Sequence, residues 1–313
     1  MELVELFKDL ELTNERSVKK AFEAFSSEYH LLNGVPRSRQ IDYGIFADSL
    51  TNSAMNYIIN SISGFAFKNI SGRLPRKSSS ILEKISQMMQ AEDATVFNKV
   101  KDYARIAAHV YGNRRNTILP TAWKCLGSSY QGLKLDDEES GLVASLYKKD
   151  GARPKYVYAF SGTKWYDIKD WEANIHQIAG ISEQYERAGE ISEKLAHLLG
   201  AENLIMTGHS KGGGQAAYGA MRTGCRAITF NPAGLGMTKF KHVKYKQADI
   251  NSYVLLFDPL NLMQMLAQLY YADLTADGTV HYLKCDKNSP VKEWHGIDGF
   301  LRLAGMKDMH RIA

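Results

Sequence analysis

Ten residues, Leu204-Ile-Met-Thr-Gly-His-Ser-Lys-Gly-Gly213, constrain the fold of this chain more than any other stretch. An apolar run at 204–206 reads as a buried strand. It leads into Gly208-His-Ser-Lys-Gly212, a G-x-S-x-G pentapeptide, and then into the small-residue helical run Gln215-Ala-Ala-Tyr-Gly-Ala-Met221. Strand, tight turn and helix in that order form a nucleophile elbow. The turn forces the serine into strained dihedrals, and glycines two before and two after remove side chains that would clash. The Ser210 hydroxyl then stands at the carboxyl end of a sheet with a helix N-terminus behind it.

The bare pentapeptide should arise about 0.1 times by chance in a chain of this length, since Gly and Ser are each about 7% of residues. The flanking strand and helix raise its specificity. The competing reading is an ordinary glycine-rich turn carrying an idle serine. A phosphate-binding loop fits less well, because Lys-Ser/Thr does not follow the last glycine.

Around the elbow, strands alternate with helices. Leu142–Tyr147, Lys155–Phe160, Ala227–Phe230, Tyr253–Phe257 and Thr279–Leu283 read as strands. Val96, Val100, Tyr103, Ile106 and Val110 lie at helical spacing. So do Ile181, Tyr185, Ala188, Ile191, Leu195 and Leu198, a helix ended by Gly200. This alternation predicts an α/β fold, a mostly parallel sheet flanked by helices. Residues 1–92 read as a helical N-terminal extension and 93–313 as the main domain. The 313 residues are enough for one large α/β domain with an accessory part.

A serine nucleophile needs a base, an acid and an oxyanion hole. Asp258 follows the strand Tyr253–Phe257, where catalytic groups of α/β folds collect, although Asp before Pro259 is also a common turn opener. His295 lies in a loop ahead of the helical run 297–303 and is the favoured base. His281, inside a strand, reads as structural, and His310 is nearly terminal. His209 is read as pointing along the elbow, away from the serine. Asp273 and Asp277 are weaker acids. The oxyanion donors are the N–H of Lys211, directly after Ser210, and that of Thr163, in the loop Phe160-Ser-Gly-Thr163.

With these pieces placed, residues from about 95 to 310 resemble the class 3 lipases and their bacterial relatives. The matches are Phe160-Ser-Gly-Thr163, Asp170-Trp171 with Asn174, Gly208-His-Ser-Lys-Gly212, Asn231-Pro-Ala-Gly234, Asp258 and His295. The Gly-His-Ser-Lys-Gly-Gly form looks most like the bacterial branch. Ser161 stands where the family usually has an arginine that braces the oxyanion loop. The resemblance implies an α/β-hydrolase fold and acyl transfer from a lipid or phospholipid ester to water through an acyl-enzyme, without metal or organic cofactor. Phospholipase A activity is favoured over acylglycerol lipase. The resemblance also raises an antibacterial effector role. Another serine hydrolase of this fold, an esterase or thioesterase, and a catalytically silent scaffold are the alternatives.

The net charge of +5 permits attraction to an anionic surface, and no nucleic-acid motif is present. The basic-apolar run Thr238–Lys246 reads either as a membrane-surface contact or as a solvated edge. Leu260–Tyr271, rich in Met, Leu and Tyr, reads as core or as an acyl groove, and Ile45–Phe67 as a helical run able to serve as a lid. No signal peptide or uncharged apolar span is read at the start or elsewhere, which predicts cytoplasmic synthesis with export, if any, by a leaderless route. Cys125, Cys225 and Cys285 are expected to be buried free thiols. Acyl-chain preference, the bond cut and oligomeric state stay open at this level.

Overall fold

A computed structural model describes residues 87, 91–92, 94–112, 119–162, 183–235, 246–256, 258, 260–261, 264, 276–284 and 295–305. The expectations placed on Ile45–Phe67, on Thr163, on Cys285 and on most of Thr238–Lys246 and Leu260–Tyr271 lie outside these residues. Among the described residues the strands are β1 (Trp123–Gly127), β2 (Ser129–Tyr130), β3 (Leu133–Lys134), β4 (Ala144–Lys149), β5 (Lys155–Phe160), β6 (Leu204–His209), β7 (Arg226–Phe230), β8 (Ile250–Leu255) and β9 (Thr279–Leu283). The helices are α1 (Ala94–Phe97), α2 (Lys101–His109), α3 (Glu183–Leu199), α4 (Lys211–Thr223) and α5 (Ile297–Leu303).

Seven strands form one sheet in the order β1-β4-β5-β6-β7-β8-β9. The first two pairings are antiparallel, and β5 through β9 run parallel. This is the α/β-hydrolase-like arrangement, a mostly parallel sheet with helices on both faces. Side-chain alternation divides β5 between two cores. Tyr156, Tyr158 and Phe160 pack on the face covered by α3 and α4, while Val157 and Ala159 pack on the face covered by α2 and α5. Parallel strands buried on both faces read as continuous apolar runs, which is why β5 and β6 stand out in the sequence.

The stripe Tyr185, Ala188, Ile191 and Leu195 turns α3 inward, toward the small residues of α4. Arg222 of α4 ties the two helices through Glu186 and Glu193, at 3.1 Å and 2.8 Å. Ala216, Ala217 and Ala220 let α4 lie close on the sheet, so the elbow between β6 and α4 is held from both sides.

Parallel register brings the carboxyl ends of the central strands level. Phe160 pairs with Gly208, His209 with Phe230, Phe230 with Tyr253, and Leu255 with Leu283. The loops after these five strands therefore meet along one edge. Glu92 also joins the sheet, its N–H donating to Tyr282 O at 2.7 Å and its carbonyl accepting from Lys284 N–H at 3.2 Å. No described helix is long and apolar enough to cross a membrane.

Three local expectations change. The helix read through Val96–Val110 is broken, because residues 98–100 form a turn between α1 and α2. Asn98 and Val100 are weak helix formers, and the Val100 N–H closes onto Phe97 O at 2.9 Å. The strand read as Tyr253–Phe257 runs earlier, from Ile250 to Leu255, with Leu256 already in a turn. Cys125 is exposed rather than buried, since it sits on the edge strand β1, whereas Cys225 is buried. Burial raises the Cys225 thiol pKa, with the Thr223 hydrogen bond opposing it.

Candidate active site

Ser210 sits where β6 gives way to α4, with φ 58° and ψ −128°. A positive φ at a non-glycine residue costs of order 1–3 kcal/mol and persists only when its surroundings over-determine it. Here both peptide groups of the residue are held. The N–H donates to Phe230 O at 3.1 Å, and the carbonyl accepts from Gly213, Gly214 and Ala233 at 2.9, 3.2 and 3.0 Å. The residue is 4% exposed.

The two elbow glycines are required by close approach. A Cβ on Gly208 would run into the Gly212 main chain, and one on Gly212 would run into the Phe160 carbonyl and lie 2.9 Å from Ser161 C. These are backbone contacts with no flexible end to give way. Gly212→Ala is therefore expected to lower folding stability by about 1–3 kcal/mol or more. Urea denaturation checks this, and a wild-type midpoint would mean a looser elbow than this packing describes.

Asp258 follows β8 through a turn closed by its N–H on Leu255 O at 2.9 Å. His295 lies two residues before α5, whose N-cap is Gly296. The residues are 1% and 4% exposed, and His295 Nδ1 lies 2.6 Å from Asp258 Oδ1. Oδ2 accepts from Asn261 twice, from the main-chain N–H at 2.8 Å and the side-chain amide at 2.7 Å. A buried carboxylate is tolerable only when its lone pairs are occupied, and three donors occupy these. Because the carboxylate accepts, Nδ1 carries a proton, and in the neutral ring the lone pair is then on Nε2, as a general base requires.

Gly162 brings the loop after β5 against the elbow. A Cβ there would strike the Tyr111 hydroxyl, and would lie 2.6 Å from His209 O and 3.3 Å from Ser210 Cβ. The loop is anchored by Ser161, whose N–H donates to Val143 O at 2.9 Å and whose Oγ donates to Gly162 O at 3.3 Å. Lys211 opens α4, so its N–H is among the first-turn donors that have no intrahelical acceptor. Its side chain is partly buried, and desolvation lowers the ammonium pKa.

The remaining sequence candidates are otherwise engaged. His281 bonds Glu92 and Asn251 at 3.2 and 3.1 Å and stacks on Tyr253. Asp277 takes the Leu235 N–H at 3.1 Å and, through its carbonyl, the Ser252 hydroxyl at 2.7 Å. Asp273 and His310 lie outside the described residues.

Three contributors were not assigned from sequence. Asn261 is one, and Asp258-Pro-Leu-Asn261 carries a local signal for it, an Asp whose carboxylate caps the N–H three residues on. Asn231 is the second. Its amide N–H donates to the His295 carbonyl at 3.1 Å, and its Oδ1 accepts the Leu255 N–H at 2.8 Å. The third is His209, which does not simply point away along the elbow. Its Nε2 is 2.5 Å from the same His295 carbonyl, its Nδ1 is 2.9 Å from the Tyr111 hydroxyl, and the rings of His209 and His295 lie 5.0 Å apart.

Comparison with known proteins adds a family. Residues 102–282 match the model described as "Phospholipase-like: Tle-like phospholipase domain". Over 110 residues the chain is 37% identical to a Serratia liquefaciens protein named extracellular phospholipase A1, covering 35% of this chain and 33% of that protein. The chain thus spans about a third of the length of the curated relative it matches. Similar solved structures include M37 lipase, at a TM-score of 0.37 and 16% identity over 59% of this chain and 82% of that one. Lip2 lipase from Yarrowia lipolytica aligns at a TM-score of 0.38 and 12% identity over 63% of this chain and 80% of that one.

Proposed function

We propose a function for this chain from its family and its site: the chain belongs to the Tle-like phospholipase domain family, and we read it as a serine-dependent lipid esterase that cleaves fatty-acyl ester bonds of phospholipids. The observation that carries the reading is the buried Asp258–His295 hydrogen bond on the same sheet edge as the strained Ser210.

In this reading His295 Nε2 takes the proton of the Ser210 hydroxyl as Oγ attacks the ester carbonyl. Asp258 keeps the other ring nitrogen protonated and stabilises the imidazolium that forms. The N–H groups of Lys211 and Thr163 hold the oxyanion. The imidazolium passes its proton to the departing alcohol. Water then attacks the acyl-enzyme, with His295 as base again, and the fatty acid leaves. Phospholipid is preferred over acylglycerol in this reading because the family model that matches residues 102–282 is that of a phospholipase domain.

The test is fatty-acid release from phosphatidylglycerol or phosphatidylcholine vesicles, against a triacylglycerol emulsion and a short-chain chromogenic ester. Release from vesicles at a rate at least tenfold above that from the emulsion is expected. Cleavage of the short ester alone would move the reading to a soluble-substrate esterase or thioesterase, and inactivity on all three would favour a scaffold. The name of the Serratia relative extends the proposal to action outside the producing cell. A Ser210-dependent growth defect on directing the chain to a bacterial periplasm is expected, and its absence with active enzyme would end the effector reading.

A further inference from the structure

We infer that His209, the residue before the nucleophile, is a positioning residue that sets the distance between Ser210 and His295 by holding the His295 main chain. The inference rests on the proposed triad. His209 and His295 are 86 residues apart in sequence, yet the His209 ring is buried against the His295 ring and bonds its carbonyl at 2.5 Å. A carbonyl can only accept, so Nε2 of His209 carries a proton and donates it. In the neutral ring the Nδ1 lone pair then accepts from the Tyr111 hydroxyl at 2.9 Å. That hydroxyl also lies 3.5 Å from the carbonyl of His209 itself. Tyr111, at the end of α2, thus fixes the orientation of the ring that fixes the base.

The geometry gives this link a particular consequence. The base and the nucleophile are joined along a path of one hydrogen bond, one imidazole and one peptide unit. The alternative paths run through Asp258 and β8, or through Asn231 and the end of β7. Asn231 donates to the same His295 carbonyl at 3.1 Å and is itself pinned to the Leu255 N–H. Two buried donors from adjacent strand ends thereby hold the main chain, while Asp258 holds the side chain. Each side chain anchors a different coordinate of the imidazole. Only the His209 anchor moves as one body with Ser210. Its loss is expected to leave the Asp258–His295 bond in place and to let the imidazole move out of the position from which Nε2 would take the Ser210 proton. A misplacement of about 1 Å at reacting atoms costs on the order of 10²-fold in rate.

The experiment measures the rate and the end-point of covalent labelling of full-length protein by a fluorophosphonate probe, which reports Ser210 activated by its base. The proteins are wild type, His209→Leu, His209→Gln, His295→Ala and the double variant His209→Leu/His295→Ala, with Ser210→Ala as blank. His209→Leu is expected to label about 10²-fold more slowly to an unchanged end-point. His209→Gln, whose amide can still donate, is expected to recover most of the rate. On the His295→Ala background, His209→Leu is expected to change the rate less than twofold.

A wild-type rate in His209→Leu would overturn the inference. So would a lowered end-point with a wild-type rate, which is what a merely space-filling ring predicts. An equal fold loss on both backgrounds, or no recovery in His209→Gln, would overturn it too. A wild type that fails to label, or a His295→Ala variant that labels as fast as wild type, would overturn the triad reading and this inference with it.

Discussion

Ser210→Ala is expected to lower kcat for ester hydrolysis by about 10⁴- to 10⁶-fold, the range found when a triad nucleophile is removed. KM is expected to move little, because the acyl and headgroup contacts stay. The fold is also expected to stay, since alanine keeps the Cβ and both peptide groups of residue 210 keep their hydrogen bonds. The backbone remains at φ 58° in that variant, so the strain remains too. Ser210→Gly removes the strain and is expected to be equally inactive but more stable than Ser210→Ala by about 1 kcal/mol, strain relief less the entropy cost of glycine. Steady-state kinetics on a short-chain ester and urea denaturation of the three proteins test both statements. A Ser210→Ala variant retaining more than a hundredth of wild-type kcat would remove Ser210 as nucleophile. Equal stability of the alanine and glycine variants would show that the strain is no larger than the entropy cost of glycine, about 0.4–1 kcal/mol.

The part of the fold that positions the elbow is written in local sequence signals. Strands β5 and β6 are buried on both faces and carry the apolar runs Tyr156–Phe160 and Leu204–Met206. Helix α3 carries a regular stripe that ends at Gly200, and the small residues of α4 announce close packing on the sheet. Strand β1 was not legible. It is an edge strand in which Lys124 and Cys125 are both exposed, so burial imposes little alternation on it. The break between α1 and α2 was hidden because Val96, Val100 and Val110 keep their apolar identity on both sides of the turn. Spacing alone does not report the Val100 dihedral.

For the proposed triad, chain order and strand ends pointed to Ser210, Asp258 and His295, since register brings parallel strand ends together. The residues that hold those groups were not legible in the same way. Asn231 and His209 act through the carbonyl of His295, a group that every residue has. No sequence pattern marks which carbonyl a buried donor will find. Asn231 could be quoted as a motif residue without its role being visible. Its function depends on bridging the His295 carbonyl and the Leu255 N–H, which only the folded register brings together.

The acid of the proposed triad allows a sharper test than its removal. Asp258→Asn is nearly isosteric, and its effect follows from counting donors. Three N–H groups face the carboxylate, one from His295 at Oδ1 and two from Asn261 at Oδ2. An amide offers one oxygen and one NH₂. The oxygen is best placed toward Asn261, where it satisfies two donors, and this leaves the NH₂ facing His295 Nδ1. Two donors cannot face one another in a buried site, so the imidazole shifts its proton to Nε2 and accepts at Nδ1. His295 then presents an N–H to Ser210 where a lone pair is needed. The expected result is a fall in kcat of about 10³- to 10⁴-fold, the scale seen when the wrong tautomer is enforced in serine proteases. KM is expected to stay within a few fold. The fluorophosphonate end-point counts folded protein, so a lost rate with a preserved end-point separates the tautomer effect from unfolding. Were Asp258→Asn to keep kcat within tenfold of wild type, Asp258 would be a cap for the segment beginning at Leu260 and not the partner that orients the base.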